Sequence, residues 1–209
     1  MSLVTDPYRA DRFAFEAMTK PADLVVRSSK DDTAHCWHEM VPGPHELVEA
    51  VDVAQSGPVT VGHVRFEAFA SRERARPGHT PKRNAMYKFT VDGIRILHTG
   101  DTGAAFPEDY LDRLRGEVDV MLAVTGDRYT IPLDDLQLAI DEIRPRVVIP
   151  CHYQVRKLTL PGDAWIYPVE AFVNRYPAQV RVWTGTTDVT VTKATMPDEL
   201  RIYILEHAG

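Results

Sequence analysis

Val91-Asp92-Gly93-Ile94-Arg95-Ile96-Leu97-His98-Thr99-Gly100-Asp101-Thr102-Gly103 is the stretch on which the fold is decided. An apolar run, 85–91, enters Asp92-Gly93 and leaves through Ile94 to His98. This predicts a β-hairpin, because glycine accepts the positive φ of a tight turn. The second arm then ends in Gly100-Asp101-Thr102-Gly103, a carboxylate between two glycines that let the backbone approach whatever the carboxylate binds. Downstream the pattern changes. Residues 107–114 read as a helix and 118–124 as a strand. In 133–143, Leu136, Ala139, Ile140 and Ile143 share one helical face, and 147–149 form a strand running into Pro150-Cys151-His152-Tyr153. Strand, helix and strand in alternation require parallel crossovers.

Upstream, 22–26 is an apolar strand followed by Ser28-Ser29, which cap a helix or open a loop. After the Pro/Gly-marked stretch 41–44 come 59–61 and then 64–69, whose strict alternation predicts a strand with one solvated face. An amphipathic segment, 169–176, precedes strands near 180–183, 189–191 and 202–205. No linker, repeat or low-complexity segment divides the chain, so a single α/β domain over 1–209 is expected.

The 209 residues, 44% hydrophobic and 26% charged, exclude disorder, collagen and coiled coil. A balance of 24 Lys+Arg against 30 Asp+Glu, net −6, gives no electrostatic support for binding nucleic acid. No run approaches the roughly 18 apolar residues that span a bilayer, and the first residues lack the order of a secretion signal, so no membrane association is expected. Cys36 and Cys151 read as free thiols of a reducing, cytoplasmic compartment.

Asp101 and His152 each follow an apolar strand directly, where loops build sites over a sheet edge, and such a pair is a common start of a metal site. Taken singly, each is as well explained as a turn or a structural hydrogen bond. Together and in order the segments resemble metallo-β-lactamase-fold hydrolases, in the branch similar to ascorbate-6-phosphate lactonase. The resemblance rests on the quoted hairpin, on Val118-Asp119-Val120-Met121-Leu122, on Gly126 and Tyr129-Thr130-Ile131, on Pro145 to Tyr153, and on Thr5-Asp6-Pro7-Tyr8. It implies a four-layer αββα sandwich of two mixed sheets flanked by helices, here shortened at the N-terminus. An edge left uncovered by that shortening invites a second copy, so a homodimer is expected.

The resemblance further implies metal ligands and catalytic residues at Asp101 and His152. The other expected histidines fall on Ser29, Asp31, Ala34 and near Ser71, and the expected aspartate on Thr33, so most of a two-metal site is absent. A helix after Ser29 would put Asp31, His35 and His38 on one face, beside Asp32. Asp31 and His35 are then the replacement ligands for one divalent ion, zinc or manganese. The alternative is an acidic helix start with no ion bound. His98, Cys151, Tyr153, Arg83 and Asn84 are expected behind the ligands or against a small-molecule substrate, Cys151 as soft ligand, nucleophile or packing. The basic loop with Arg72, Arg74, Arg76 and Lys82 holds a phosphate or carboxylate, or is simply solvated. Two functions remain open: a hydrolase of an ester, lactone or phosphodiester with a reduced or lost metal site, and a non-catalytic descendant that binds a small ligand or partner protein.

Overall fold

The computed structural model describes every residue except Ala14, Thr33, Lys157, Thr159, residues 161–163, Ala208 and Gly209. In chain order its elements are β1 (Leu3–Thr5), α1 (Ala10–Phe13), β2 (Leu24–Arg27), β3 (Glu46–Glu49), α2 (Ala50–Ser56), β4 (Val59–Val61), β5 (Val64–Arg72), β6 (Arg83–Val91) and β7 (Ile94–His98). They continue with α3 (Glu108–Leu114), β8 (Val120–Val124), α4 (Leu133–Ile143), β9 (Val147–Cys151), α5 (Val169–Val173), β10 (Arg181–Trp183) and β11 (Arg201–Ile204). A three-stranded sheet has the order β1-β2-β3, and an eight-stranded sheet the order β10-β11-β9-β8-β7-β6-β5-β4.

The large sheet changes character at the quoted stretch. Asp92 and Gly93 take φ of +50° and +75° and close β6 onto β7, with Val91 opposite Ile94. From β4 to β7 the strands are antiparallel; β7 to β8, β8 to β9, β9 to β11 and β11 to β10 are parallel. The smaller sheet is wholly parallel, which corrects the expectation of two mixed sheets. The expected strand at 189–191 is not formed: these residues lie outside any strand, and Val191 instead packs with Met196 on the cluster of Ile94, Val120 and Val147.

Two cores hold the layers together. On one face of the large sheet, Leu97, Met121 and Val148 pack with Leu114 of α3, Leu136 and Ile140 of α4 and Phe172 of α5. On the other, Leu24, Val26 and Val48 of the small sheet and Val51 of α2 pack on Phe66, Tyr87 and Phe89. The outer face of the small sheet is covered by Met18, Ala22 and Val41, from irregular chain rather than a long helix.

Strands repeat at about 4.8 Å, so three strands are too narrow to roof eight. The shortfall is visible along one row of the large sheet, where Tyr87, His98, Leu122 and Ile149 are successive cross-strand neighbours on one face. Tyr87, beneath the small sheet, is buried; Leu122 and Ile149 are only half-buried and line a cavity of about 720 Å³. The candidate site lies in that cavity. Among the described residues no helix is long and apolar enough to cross a membrane.

Candidate metal centre

Asp101 and His152 come from the C-terminal ends of β7 and β9, where a parallel sheet presents its loops on one edge. Asp101 sits in a turn braced from behind. Its N–H donates to Asn84 Oδ1 at 3.2 Å, while Asn84 Nδ2 donates to Ser71 Oγ at 2.8 Å. His98 Nδ1 accepts the Gly100 N–H at 2.9 Å, and its ring lies flat on Tyr87 with centroids 5.1 Å apart. Gly103 is pressed against the neighbouring loop: a Cβ there would lie 2.0 Å from the Arg74 nitrogen. That approach brings Glu73 beside Asp101.

His152 has φ of +51°, the left-handed region a non-glycine residue enters only when its surroundings impose it. The surroundings here are Thr125-Gly126. The Thr125 N–H donates to the Cys151 carbonyl at 2.9 Å, and a Cβ on Gly126 would meet the His152 carbonyl oxygen at 2.4 Å. The histidine therefore rests on a position that has no room for a side chain.

The loop after β2 supplies the third donor residue, His35, though not from a helix. Residues 28–32 and 34–36 form bends and a turn, not a helix, which corrects the expected helical face. Ser29 Oγ donates to the Arg83 carbonyl at 2.7 Å and accepts the N–H groups of Asp31 and Asp32. This turns Asp32 inward, where it is buried, and leaves Asp31 outside, paired with Arg83 at 3.4 Å. Asp31 thus stands apart from the converging donor atoms, and Arg83 and Asn84 are not among the residues that line the cavity. His38 faces His45 at 3.3 Å instead of the site. Thr33, where the resemblance puts an aspartate, lies outside the described residues.

Asp32 Oδ1 accepts the Ala34 N–H at 2.7 Å, and Oδ2 lies 2.6 Å from His35 Nδ1. Asp101 Oδ2 is 3.1 Å from the same nitrogen, and Phe13 stacks on the His35 ring at 5.5 Å. With Nδ1 held by carboxylates, His35 Nε2 is left facing His152 Nε2 at 3.3 Å, and Asp101 Oδ1 is 3.9 Å from His152 Nε2. His35, Asp101 and His152 each offer a donor atom within 4.8 Å of the others. Two imidazoles and a carboxylate, one ring oriented by a further carboxylate, form a donor set that suits a divalent cation.

The charges set the two rings apart: His152 rests towards the neutral form, whereas His35 is the protonated partner of two carboxylates, a proton that a cation at its Nε2 would have to displace. Burial pushes the His152 imidazole below the usual histidine value, towards the neutral form that ligates. Burial also pushes His35 down, but Asp101 and Asp32 outweigh it and hold His35 well above that value. Burial would raise Asp101 and Asp32, yet the imidazoles keep both ionised, with His35 the largest opposing influence on each.

Three further residues join the site: Asp6, from the segment Thr5-Asp6-Pro7-Tyr8, Lys82 of the basic loop, and Glu73, which the sequence reading did not single out. Asp6 Oδ1 accepts the Ser28 N–H at 2.6 Å and ties the end of β1 to the end of β2. Glu73 is part-buried and forms a second group of converging donors with Asp32 and Asp101. The available signal for Glu73 was strand period: it stands two residues beyond Ser71, on the same face. Lys82 lies 3.5 Å from Glu73 and 3.7 Å from Asp32. Cys151 and Tyr153 line the cavity; burial pushes the Cys151 thiol up, which removes the thiolate a nucleophile needs.

The model of the beta-lactamase superfamily domain matches residues 1–152. A UPF0173 metal-dependent hydrolase of Staphylococcus aureus (strain JH9) is 34% identical over 113 residues, 52% of this chain and 49% of the relative. The chain thus aligns with about half the length of the curated relatives it matches. Among solved structures, a Thermotoga maritima protein assigned to the Zn-dependent hydrolases of the metallo-β-lactamase superfamily superposes with a TM-score of 0.70 at 22% identity, covering 97% of this chain and 88% of that one. A structure assigned to metal-dependent hydrolases, from Parabacteroides distasonis ATCC 8503, gives 0.62 at 15% identity over 98% and 85%. These likenesses carry the superfamily and its fold; the lactonase-like branch is carried by the sequence resemblance alone.

Proposed function

The chain belongs to the beta-lactamase superfamily domain family, and from that premise we propose that it is a metal-dependent hydrolase acting on an ester, lactone or phosphodiester. One observation carries the reading: His35 Nε2, His152 Nε2 and Asp101 converge in the cavity wall, the two ring nitrogens 3.3 Å apart. These three residues would hold one zinc or manganese ion, a reduced site, with Asp32 orienting His35. Such an ion would supply Lewis acidity and lower the pKa of a bound water towards neutrality. Asp101 would hold the His35 ring through Oδ2, 3.1 Å from Nδ1, and offer Oδ1, 3.9 Å from His152 Nε2, to the ion.

The rest of the cavity describes the substrate's body. Phe13, Phe15, Leu122, Ile149 and Ile166 give it apolar walls, while Arg74 and Arg76 stand on the polar side. Arg76 stacks on Tyr129 at 4.2 Å and has no carboxylate partner among the described residues. An ester with an apolar body and an anionic group fits these walls.

A second reading has an observation of its own. His35 already pairs with Asp32 and Asp101 at 2.6 and 3.1 Å, so its ring is satisfied within an ion-pair network fixing two loops. On that reading the cavity binds a ligand without turning it over. Hydrolysis of a panel of aryl esters, lactones and phosphodiesters separates the two. The hydrolase reading expects turnover abolished by chelator and restored by zinc or manganese. No turnover with either ion, together with ligand binding in the cavity, would favour the network.

A further inference from the structure

The site holds more carboxylates than a single ion needs. Asp32, Glu73 and Asp101 place oxygens within 4.8 Å of one another, and Asp101 belongs both to this trio and to the group with His35 and His152. Three carboxylates so close repel unless a cation stands among them. His35 stands against Asp32 and Asp101 at 2.6 and 3.1 Å, but its ring is needed by the ion of the first group. The cation left to the trio is Lys82, whose Nζ is 3.5 Å from Glu73 Oε1 and 3.7 Å from Asp32 Oδ1.

Its place is fixed by sheet register. The β5–β6 ladder runs to Arg72 opposite Arg83, and the Glu73 N–H donates to the Lys82 carbonyl at 3.1 Å. Lys82 is therefore the cross-strand partner of Glu73, an opposite-charge pair held at the mouth of the hairpin. On its other oxygen Glu73 meets His79, whose Nε2 lies 3.0 Å from Oε2.

We propose that Lys82 is the resident cation of the Asp32–Glu73–Asp101 group, so that the site takes up one metal ion although donors for two, sharing Asp101, are in place. The inference rests on the reading that His35, Asp101 and His152 hold an ion. An ammonium satisfies the carboxylates by charge without offering an open coordination position, and its four-carbon stem lets it fill the space an ion would take. Lys82 thereby sets the number of metal ions.

The test is metal content per chain, by elemental analysis after equilibration with excess zinc and removal of free ion. Wild type is expected to hold one equivalent and Lys82→Met two. Lys82→Arg, which keeps the charge, is expected to hold one, and Lys82→Met with Glu73→Gln to return to one. Lys82→Gln serves as a second neutral variant, with circular dichroism showing that each is folded. One equivalent in both folded neutral variants, or two in wild type, would overturn the proposal and leave the hydrolase reading standing. No ion in wild type would overturn both.

Discussion

The site is made of two halves that are built differently. Asp101 and His152 stand at strand ends, where pairing register, a buried histidine and two glycines without room for a Cβ fix the backbone from several sides. Asp32, His35, Glu73 and Lys82 stand in turns and a hairpin mouth, and there the fixing is electrostatic: one serine hydroxyl, carboxylates on amide groups, and ion pairs. The first half is rigid because the sheet is. The second is as rigid as its charges are balanced, so each half should fail in its own way.

The largest effect is expected from the strand half. His152→Ala should lower affinity for zinc or manganese by more than about 100-fold, since partners that only orient a ligand already cost 10–100-fold. The fold should persist, and calorimetric titration beside thermal unfolding checks both. Next, Gly126→Ala should break the same half through the backbone. Its Cβ collides with the His152 carbonyl, a small-to-large change expected to cost about 1–3 kcal/mol. Urea denaturation measures that, and an unchanged midpoint would refute the packing account.

In the loop half, Asp32→Asn should leave stability nearly intact and weaken metal binding by about tenfold, because His35 loses its orienting carboxylate. An affinity equal to wild type would show that the loop half is not organised by Asp32. A smaller effect tests the sheet away from the ligands, where Arg95 of β7 grips Asp119, just before β8, at 2.8 and 3.0 Å. Arg95 holds the Asp119 carboxyl below the usual range. A depressed carboxylate stabilises the fold above its unfolded value, about 3.9, and that contribution is lost as pH falls through the folded value. Asp119→Asn should therefore be about 1 kcal/mol less stable than wild type at pH 7, and the gap should close towards pH 3. The smallest effect belongs to Asp31→Ala. An exposed pair with Arg83 contributes at most a few tenths of a kcal/mol, and metal affinity should not move.

The same division explains what the sequence could disclose. The hairpin at Asp92-Gly93, the alternation of helix and strand after it, and the placing of Asp101 and His152 follow from periodicity and strand ends, which are local properties of the chain. His35 was reachable too, but through the wrong geometry. Helical spacing paired it with Asp31, whereas the Ser29 turn swings Asp32 to it, and a side-chain hydrogen bond to a carbonyl 54 residues away leaves no periodic trace. Lys82 was legible only as one cation of a basic loop and Glu73 not at all, because their places depend on the register of β5 against β6 and on the close approach at Gly103. The short strands β1 and β3 and the helix α2 escaped for a related reason. The valines of Ala50–Ser56 favour strand locally, and burial of Ala50, Val51 and Val53 overrides that preference.

The most direct test of the account is the metal content of four proteins purified without chelator and equilibrated with zinc: wild type, His35→Ala, His152→Ala and Asp31→Ala. The account predicts near-stoichiometric zinc in wild type and in Asp31→Ala and its loss in both histidine variants. Zinc absent from wild type, or retained in the histidine variants while lost from Asp31→Ala, would contradict it.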